Sequence, residues 1–247
     1  MINKKSRDEI KKMRHAGHIV ALVHQKMKEV IEPGISTKEL DNIAMQIIKE
    51  NRAIPTFLGY HGFPGCICAS INEEVVHGIP GDRVLRDGDI VTVDTVAYKN
   101  GYHGDACRTF CIGNVAPEVK QLVKVTEECF FKGIEGLKAG TPLFDIGYRV
   151  QKHAESFGYG VIRSYTGHAI GKEMHEDPSV PNYGKLGTGM RLKEGMVLCI
   201  EPMIALGTWR VRILSDRWTA VTEDGKPAAH YENTVVVRKD GVEILTL

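Results

Sequence analysis

What most constrains the fold of this 247-residue chain is a motif that it carries twice. Residues 85–94 read LRDGDIVTVD and residues 192–201 read LKEGMVLCIE. Both fit L-[KR]-[DE]-G-x-[IV]-[VL]-x-[VI]-[DE], at an offset of 107 residues. A second landmark, a glycine just before a helical segment, occurs at Pro33-Gly34 and again at Ala139-Gly140, 106 residues on. Two landmarks at nearly one offset point to internal duplication. Each half, about 7–113 and 114–247, is then expected to supply two helices and a β-ribbon, with 1–247 forming one pseudo-twofold domain. Each motif also ends its expected strand on a carboxylate, Asp94 or Glu201.

Periodicity fills in the elements. Ile10, Met13, Ile19, Val20, Val23, Met27 and Val30 recur at helical spacing over Ser6–Ile31, and Pro33-Gly34 stops the run. A second helix is expected from about Ser36 to Asn51, with Ser36 or Thr37 as N-cap and Glu39 near N3. Further helices are expected over about Pro117–Leu137 and Leu143–Phe157. Asp89–Ala97 is strongly β, and Asn100-Gly101 is a hairpin signal. Residues 57–82 mix glycine and proline with aromatics and read as loops and short strands. Apolar strands are expected at 196–201, 209–214 and 232–246.

Composition narrows the class. A hydrophobic share of 43% and a charged share of 26% are those of a soluble globular chain. A net charge of +1 gives no general attraction to nucleic acid or membrane, so Lys4-Lys5 and Lys11-Lys12 read as solvated helix face. The six cysteines, Cys66, Cys68, Cys107, Cys111, Cys129 and Cys199, show neither a C-x-x-C pair nor a disulfide framework. Reduced thiols in a reducing compartment follow. The charged N-terminus lacks a signal-peptide core, and no run approaches the roughly 20 apolar residues of a membrane span. A cytoplasmic monomer is expected.

The carboxylates carry the chemistry. Charge inside an apolar strand is costly unless it is paired or binds a metal. If Asn100-Gly101 is a two-residue loop, Lys99 faces Tyr102 and position 96 faces Asp105. Asp94 then lies diagonally beside Asp105 on one face of the hairpin. Two such carboxylates repel unless a cation or proton lies between them. Glu201 closes Val197–Ile200, and Glu232 precedes the run Thr234–Val237. Four acids in β contexts, with His168 set among glycines in TGHAIG, suit divalent ions of the manganese, iron or cobalt type. His77 and His175 are further candidates. His103 is a candidate neighbour of Asp105, and Tyr60 and His61 are candidate pocket residues. His15, His18, His24, His153 and His230 read as structural or surface residues.

The segments LGYHGFP (58–64), INEEVVHGIP (71–80), VD(x10)D (93–105), TGHAIGKEMHEDP (166–178), EPM (201–203) and YENT (231–234) closely resemble type I methionine aminopeptidases of the short bacterial form. The match runs from about residue 7 to 245. It implies an α+β pita-bread fold, an antiparallel sheet flanked by helices with a pseudo-twofold repeat. It also implies five ligands, Asp94, Asp105, His168, Glu201 and Glu232, for two divalent ions (Co, Fe, Mn or Zn). The catalytic set it implies is His77, His175 and Glu201, with His77 and His175 also touching substrate. The implied methionine pocket is Tyr60, Phe63, Cys68, Met174 and Trp218, with Phe57 and His61 nearby. Met174 stands where phenylalanine is usual and Phe57 where cysteine is usual, both apolar and bulky.

The implied reaction is hydrolysis of the N-terminal methionine of nascent proteins by a hydroxide bridging the two metals. Glu201 would act as base, His175 as oxyanion partner, His77 as a partner of the scissile amide and Asp94 as acceptor for the α-amine. Partners would be nascent polypeptides and the ribosome, with neither DNA nor membrane. No N-terminal zinc-finger extension or type II insertion is expected. Two alternatives carry the same fold: an X-Pro aminopeptidase, which usually has an additional N-terminal domain, and a binding module without catalysis. Chain length and the TGHAIGKEMHEDP segment argue against the first, and the intact ligand and histidine set argues against the second.

Overall fold

In a computed structural model, residues 3–247 are described. The chain begins with helix α1 (Arg7–Val30) and helix α2 (Thr37–Glu50). Strands β1 (Ile54–Pro55), β2 (Ile67–Ile71), β3 (Glu74–Val76), β4 (Ile90–Lys99) and β5 (Tyr102–Cys111) complete the first half, with a short 3₁₀ turn at Tyr60–Gly62. The second half opens with α3 (Pro117–Ile134) and α4 (Phe144–Ser156). Next come β6 (Gly160–Val161), β7 (Gly167–Ala169), β8 (Glu176–Val180), β9 (Val197–Ile200) and β10 (Met203–Ala205). The chain closes with β11 (Val211–Ile213), β12 (Ala220–Thr222), β13 (Ala228–His230), β14 (Glu232–Val237) and β15 (Val242–Ile244).

Local rules set the ends of these elements. Ser6 and Glu9 close a reciprocal capping box on α1, and Ser36 and Glu39 do the same for α2. Asn100 (φ 55°) and Gly101 (φ 86°) both take the left-handed conformation that a two-residue hairpin turn demands. The β4–β5 register follows: Lys99 opposes Tyr102 and Val96 opposes Asp105, as the alternation predicts.

A nine-stranded antiparallel sheet runs in the order β1-β4-β5-β14-β9-β7-β8, with β2 added to β4 and β15 to β14. Helix α1 lays Ile10, Met13, Ala16, Ile19, Val20, Val23 and Met27 onto the sheet, all buried. Its closest approach is at Gly17 and Gly104. A Cβ on Gly104 would come within 2.5 Å of the Gly17 backbone nitrogen, and one on Gly17 within 2.1 Å of the Leu245 carbonyl oxygen. Helices α3 and α4 bury Leu122, Val125, Cys129, Val150 and Ala154 in a second cluster.

The repeated motif makes the same connection in each half. The Gly34 amide donates to Leu85 O (2.9 Å) and the Leu85 amide to Ile35 O (2.8 Å). In the second half the Gly140 amide donates to Leu192 O (2.8 Å) and the Leu192 amide to Thr141 O (2.9 Å). The motif glycines Gly88 (φ 94°) and Gly195 (φ 86°) are both left-handed, and each lies at the turn that enters its strand.

Three expectations need correction. Asp94 does not end a strand: β4 runs on for five residues to Lys99, because Thr95–Lys99 keep pairing with β5. Glu201 does directly follow β9. The stretch 232–246 is two strands, since Lys239-Asp240-Gly241 turns the chain back and pairs β14 with β15. Lys5 is not a solvated helix residue. It precedes α1, is buried, and pairs with Glu176, while its amide donates to Gly195 O (2.7 Å).

Candidate active site

The sheet register collects the acids. Residues directly opposite on neighbouring antiparallel strands point to the same face. One row across the sheet is Cys68 on β2, Asp94 on β4, Cys107 on β5 and Glu232 on β14. The adjacent row on β14, β9 and β7 is Thr234, Cys199 and His168. Asp105, two residues before Cys107 on β5, joins that row through the Thr234 hydroxyl. That hydroxyl accepts from the Asp105 amide (3.0 Å) and donates to the Asp105 carbonyl (2.8 Å). Glu201 enters from the end of β9, its carbonyl fixed by the Asn182 side-chain amide (2.9 Å).

The expected ligands, catalytic residues and methionine-pocket residues meet around one cavity of about 190 Å³. Asp94, Asp105, His168, Glu201 and Glu232 form its floor, and Tyr60, Phe63, Cys68, His77, Met174, His175 and Trp218 its walls. Phe57 also lines it. His61 does not, and packs edge-on against Tyr60 (4.4 Å between centroids). His103 lies on the same face as Asp105, but its Nδ1 is 3.2 Å from Gly171 O, bracing the loop that follows His168. His24 and His153 are structural, bonded to Ala106 O (2.9 Å) and to Glu128 (2.9 Å).

His230 corrects the sequence reading. Placed by sequence among structural or surface histidines, it lines the cavity with its Nε2 3.9 Å from Glu201 and 4.0 Å from Glu232. Neither of its ring nitrogens has a hydrogen-bond partner. Val76, Tyr165 and Thr166 also line the cavity and were not singled out. Period-two alternation beside Glu232 points His230 to the same face as Glu232, and that was the signal available.

Electrostatically the floor is a cluster of like charges. Among the described residues, no lysine or arginine pairs with Asp94, Asp105, Glu201 or Glu232. Arg108 donates to the carbonyls of Cys107 and Glu232 and to Asn233 Oδ1 (2.6 Å). Burial pushes Asp94 up to about 7. Asp105 goes well above the carboxylate range through burial and the charges of Glu232 and Asp94. Glu201 rises through burial and the charges of Asp105 and Asp94, and Glu232 through burial and the charges of Glu201 and Asp94. Oδ1 of Asp94, Oδ1 of Asp105 and Oε1 of Glu232 are buried without a partner.

The histidines are held neutral and aimed. Burial brings His168 down to about 3. With its Nδ1 3.0 Å from Ala169 O, the Nδ1–H donates to that carbonyl and the Nε2 lone pair is left for the cavity. Nε2 lies 3.5 Å from Glu201 and 3.8 Å from Asp105. Four buried carboxylates, orphaned oxygens and an oriented imidazole fit divalent cations, which satisfy all of them at once. His77 takes a left-handed backbone (φ 61°) and is lowered to about 4 by burial and by His175. Its ring packs edge-on to Tyr165 (5.5 Å) and Trp218 (6.4 Å). His175 Nδ1 lies 3.2 Å from the Tyr60 hydroxyl.

The sequence pattern of metallopeptidase family M24 matches residues 11–239 of the chain. The chain belongs to that family. Over its full length it is 55% identical to the methionine aminopeptidase of Clostridium acetobutylicum and 51% to methionine aminopeptidase 1 of Bacillus subtilis, covering 99% of each. The crystal structure of methionine aminopeptidase from Thermotoga maritima superposes with a TM-score of 0.98 at 45% identity, covering 100% of this chain and 99% of that one. The curled antiparallel sheet with its flanking helices is the pita-bread fold of M24. As a member of the family, the chain is a metal-dependent aminopeptidase.

Proposed function

We propose that the protein releases methionine from the free N-terminus of peptides and newly made chains, using two divalent ions. Asp94, Asp105, His168, Glu201 and Glu232 would hold them. The single observation that carries this reading is the unneutralised carboxylate floor directly under an aromatic pocket. Bound there, Mn²⁺, Fe²⁺, Co²⁺ or Zn²⁺ supplies a water acidified toward neutral pH and polarises a carbonyl oxygen.

The chain's own residues do the rest. The cavity is smaller than the roughly 300–1,000 Å³ of drug-sized sites, the scale of one amino-acid side chain. Tyr60, Phe63 and Trp218 offer ring faces and edges to a thioether, with Phe63 and Trp218 packed edge to face at 5.1 Å. Asp94 accepts from the substrate α-ammonium, which an acylated N-terminus lacks, so cleavage is confined to the first residue. Glu201 takes a proton from the attacking water and passes it to the leaving amine. The Tyr60 hydroxyl lies 3.2 Å from His175 Nδ1; with that hydroxyl as donor, the His175 proton would sit on Nε2 and donate to the developing oxyanion. His77, neutral at pH 7, meets the scissile amide. Newly made chains and the ribosome that carries them are the expected partners, with the protein acting as a cytoplasmic monomer.

The test compares Met-Ala-Ser, N-acetyl-Met-Ala-Ser and an X-Pro peptide with metal-loaded protein. Release from the first alone supports the reading. Preference for the X-Pro peptide would sink it.

A further inference from the structure

Three thiols lie in the same cross-strand rows as the site residues. Cys68 and Cys107 flank Asp94 on its two neighbouring strands, and Cys199 lies between Thr234 and His168. Cys107 and Cys199 have no role in the proposed hydrolysis, and each lies within ligand distance of acids and a histidine: Cys199 of Asp105, His168 and Glu232, and Cys107 of Asp94 and His230. Ligand atoms of Asp94, Cys107 and His230 all lie within 4.8 Å of one another. Asp94 and Cys107 are directly opposed across β4 and β5, and Cys107 and Glu232 across β5 and β14. The ladder therefore fixes the spacing of the set.

His230 supplies the independent observation. It is 2% exposed, and neither ring nitrogen has a partner. A neutral imidazole in this position carries an unused lone pair among acids, which is costly unless something accepts it. A carboxylate, a thiol and an imidazole together are the donors of a borderline-to-soft ion, whereas the five-residue set is oxygen-rich and hard.

We propose that Asp94, Cys107 and His230 form a site for a thiophilic divalent cation, Zn²⁺ or Cd²⁺, set into the floor beside the oxygen-rich centre. A Zn–S bond of about 2.3 Å and a Zn–N bond of about 2.0–2.1 Å need only a small inward movement of the three side chains. Binding forms the metal–sulfur bond, and the Cys107 S–H gives its proton to solvent. Asp94 contributes an oxygen and His230 a nitrogen lone pair. His230 also borders a second cavity, about 500 Å³, lined by His24, Arg108 and Tyr231. Because Asp94 is shared, a thiophilic ion in this site takes away the group that receives the substrate amine. Stoichiometric Cd²⁺ therefore blocks Mn²⁺-driven methionine release, and Cys107→Ser resists that block.

The experiment titrates metal-stripped protein with Cd²⁺ and follows the cadmium–thiolate charge-transfer absorption in the ultraviolet. The wild type gains the band at one equivalent, Cys107→Ser lacks it, and Cys68→Ser and Cys199→Ser keep it. His230→Gln leaves the thiol in place and keeps the band, while the Cd²⁺ Kd rises about tenfold or more. No band in the wild type, a band that survives Cys107→Ser, or an unchanged Kd in His230→Gln each overturns the proposal. The readout needs no substrate. Protein that shows the band but releases no methionine upholds this site and sinks the aminopeptidase reading, and the converse pattern does the opposite.

Discussion

The floor and the walls of the cavity are built by different means. Asp94 and Asp105 sit inside ten-residue strands and Glu232 opens β14, where cross-strand pairing fixes which face each side chain takes. The walls come from irregular backbone: Tyr60 in a 3₁₀ turn after Gly59 (φ 83°), His77 at φ 61°, and Trp218 after Arg217 at φ 65°. Charge that must stay put is held by a hydrogen-bond ladder. Groups that recognise a substrate are held by turns, where a side chain can be re-aimed without breaking the sheet. Damage to the floor should therefore abolish the reaction, and damage to the walls should tune it.

Glu201→Gln should have the largest effect. It removes a floor oxygen and the proton carrier together, so methionine release falls by about 10⁴-fold or more while thermal unfolding remains cooperative. Activity within tenfold of wild type would break the distinction. Next come the wall histidines: His77→Ala and His175→Ala should each lower kcat by about 10²–10⁴-fold with metal content unchanged. Tyr60→Phe sharpens the point, because it removes only the hydroxyl beside His175, and its loss should be smaller than that of His175→Ala. Trp218→Ala should act mainly on KM for methionine peptides, with kcat less affected. An equal fall in kcat would place Trp218 in the reacting geometry instead.

The smallest effects concern stability and pH. Folding raises the floor carboxylates above their unfolded values, Asp94 to about 7 from the ordinary value near 3.9. Between about pH 4 and 7 these carboxylates bind more protons in the metal-free folded state than in the unfolded chain. Their contribution to stability is fullest below pH 4 and is lost as the pH rises through 7, while the buried neutral histidines contribute in the opposite direction. Divalent ions compete with those protons, so metal affinity climbs over the same range. Melting curves of stripped and loaded protein across this window should diverge with rising pH. Parallel curves would mean that the floor carries no such strain.

The same contrast decides what the sequence discloses. The Asn100-Gly101 turn and the period-two alternation were enough to place Asp94 beside Asp105, and the doubled LxxG motif was enough to locate the Glu201 strand. Apart from Tyr60, His77 and His175, the walls were legible only through family resemblance, since no periodicity says where a loop turns back. Tyr165 and Thr166 reach the cavity in that way and carried no signal. His230 was misread for another reason. A lone histidine is ordinarily satisfied, and only the coordinates reveal that its partners are missing. The repeated motif taken alone puts Asp94 at a strand end, whereas the Asp89–Ala97 run and the Asn100-Gly101 turn already carry the strand past it.

The most direct test of the carboxylate floor is a titration of Mn²⁺ into metal-stripped protein while methionine release from Met-Ala-Ser is followed. The expected result is no release without metal, then a rise that levels off by two equivalents and is absent in Asp105→Asn. Release from the stripped protein, or a folded protein that stays inactive at every metal concentration, would contradict the assignment of Asp94, Asp105, His168, Glu201 and Glu232 as the metal centre.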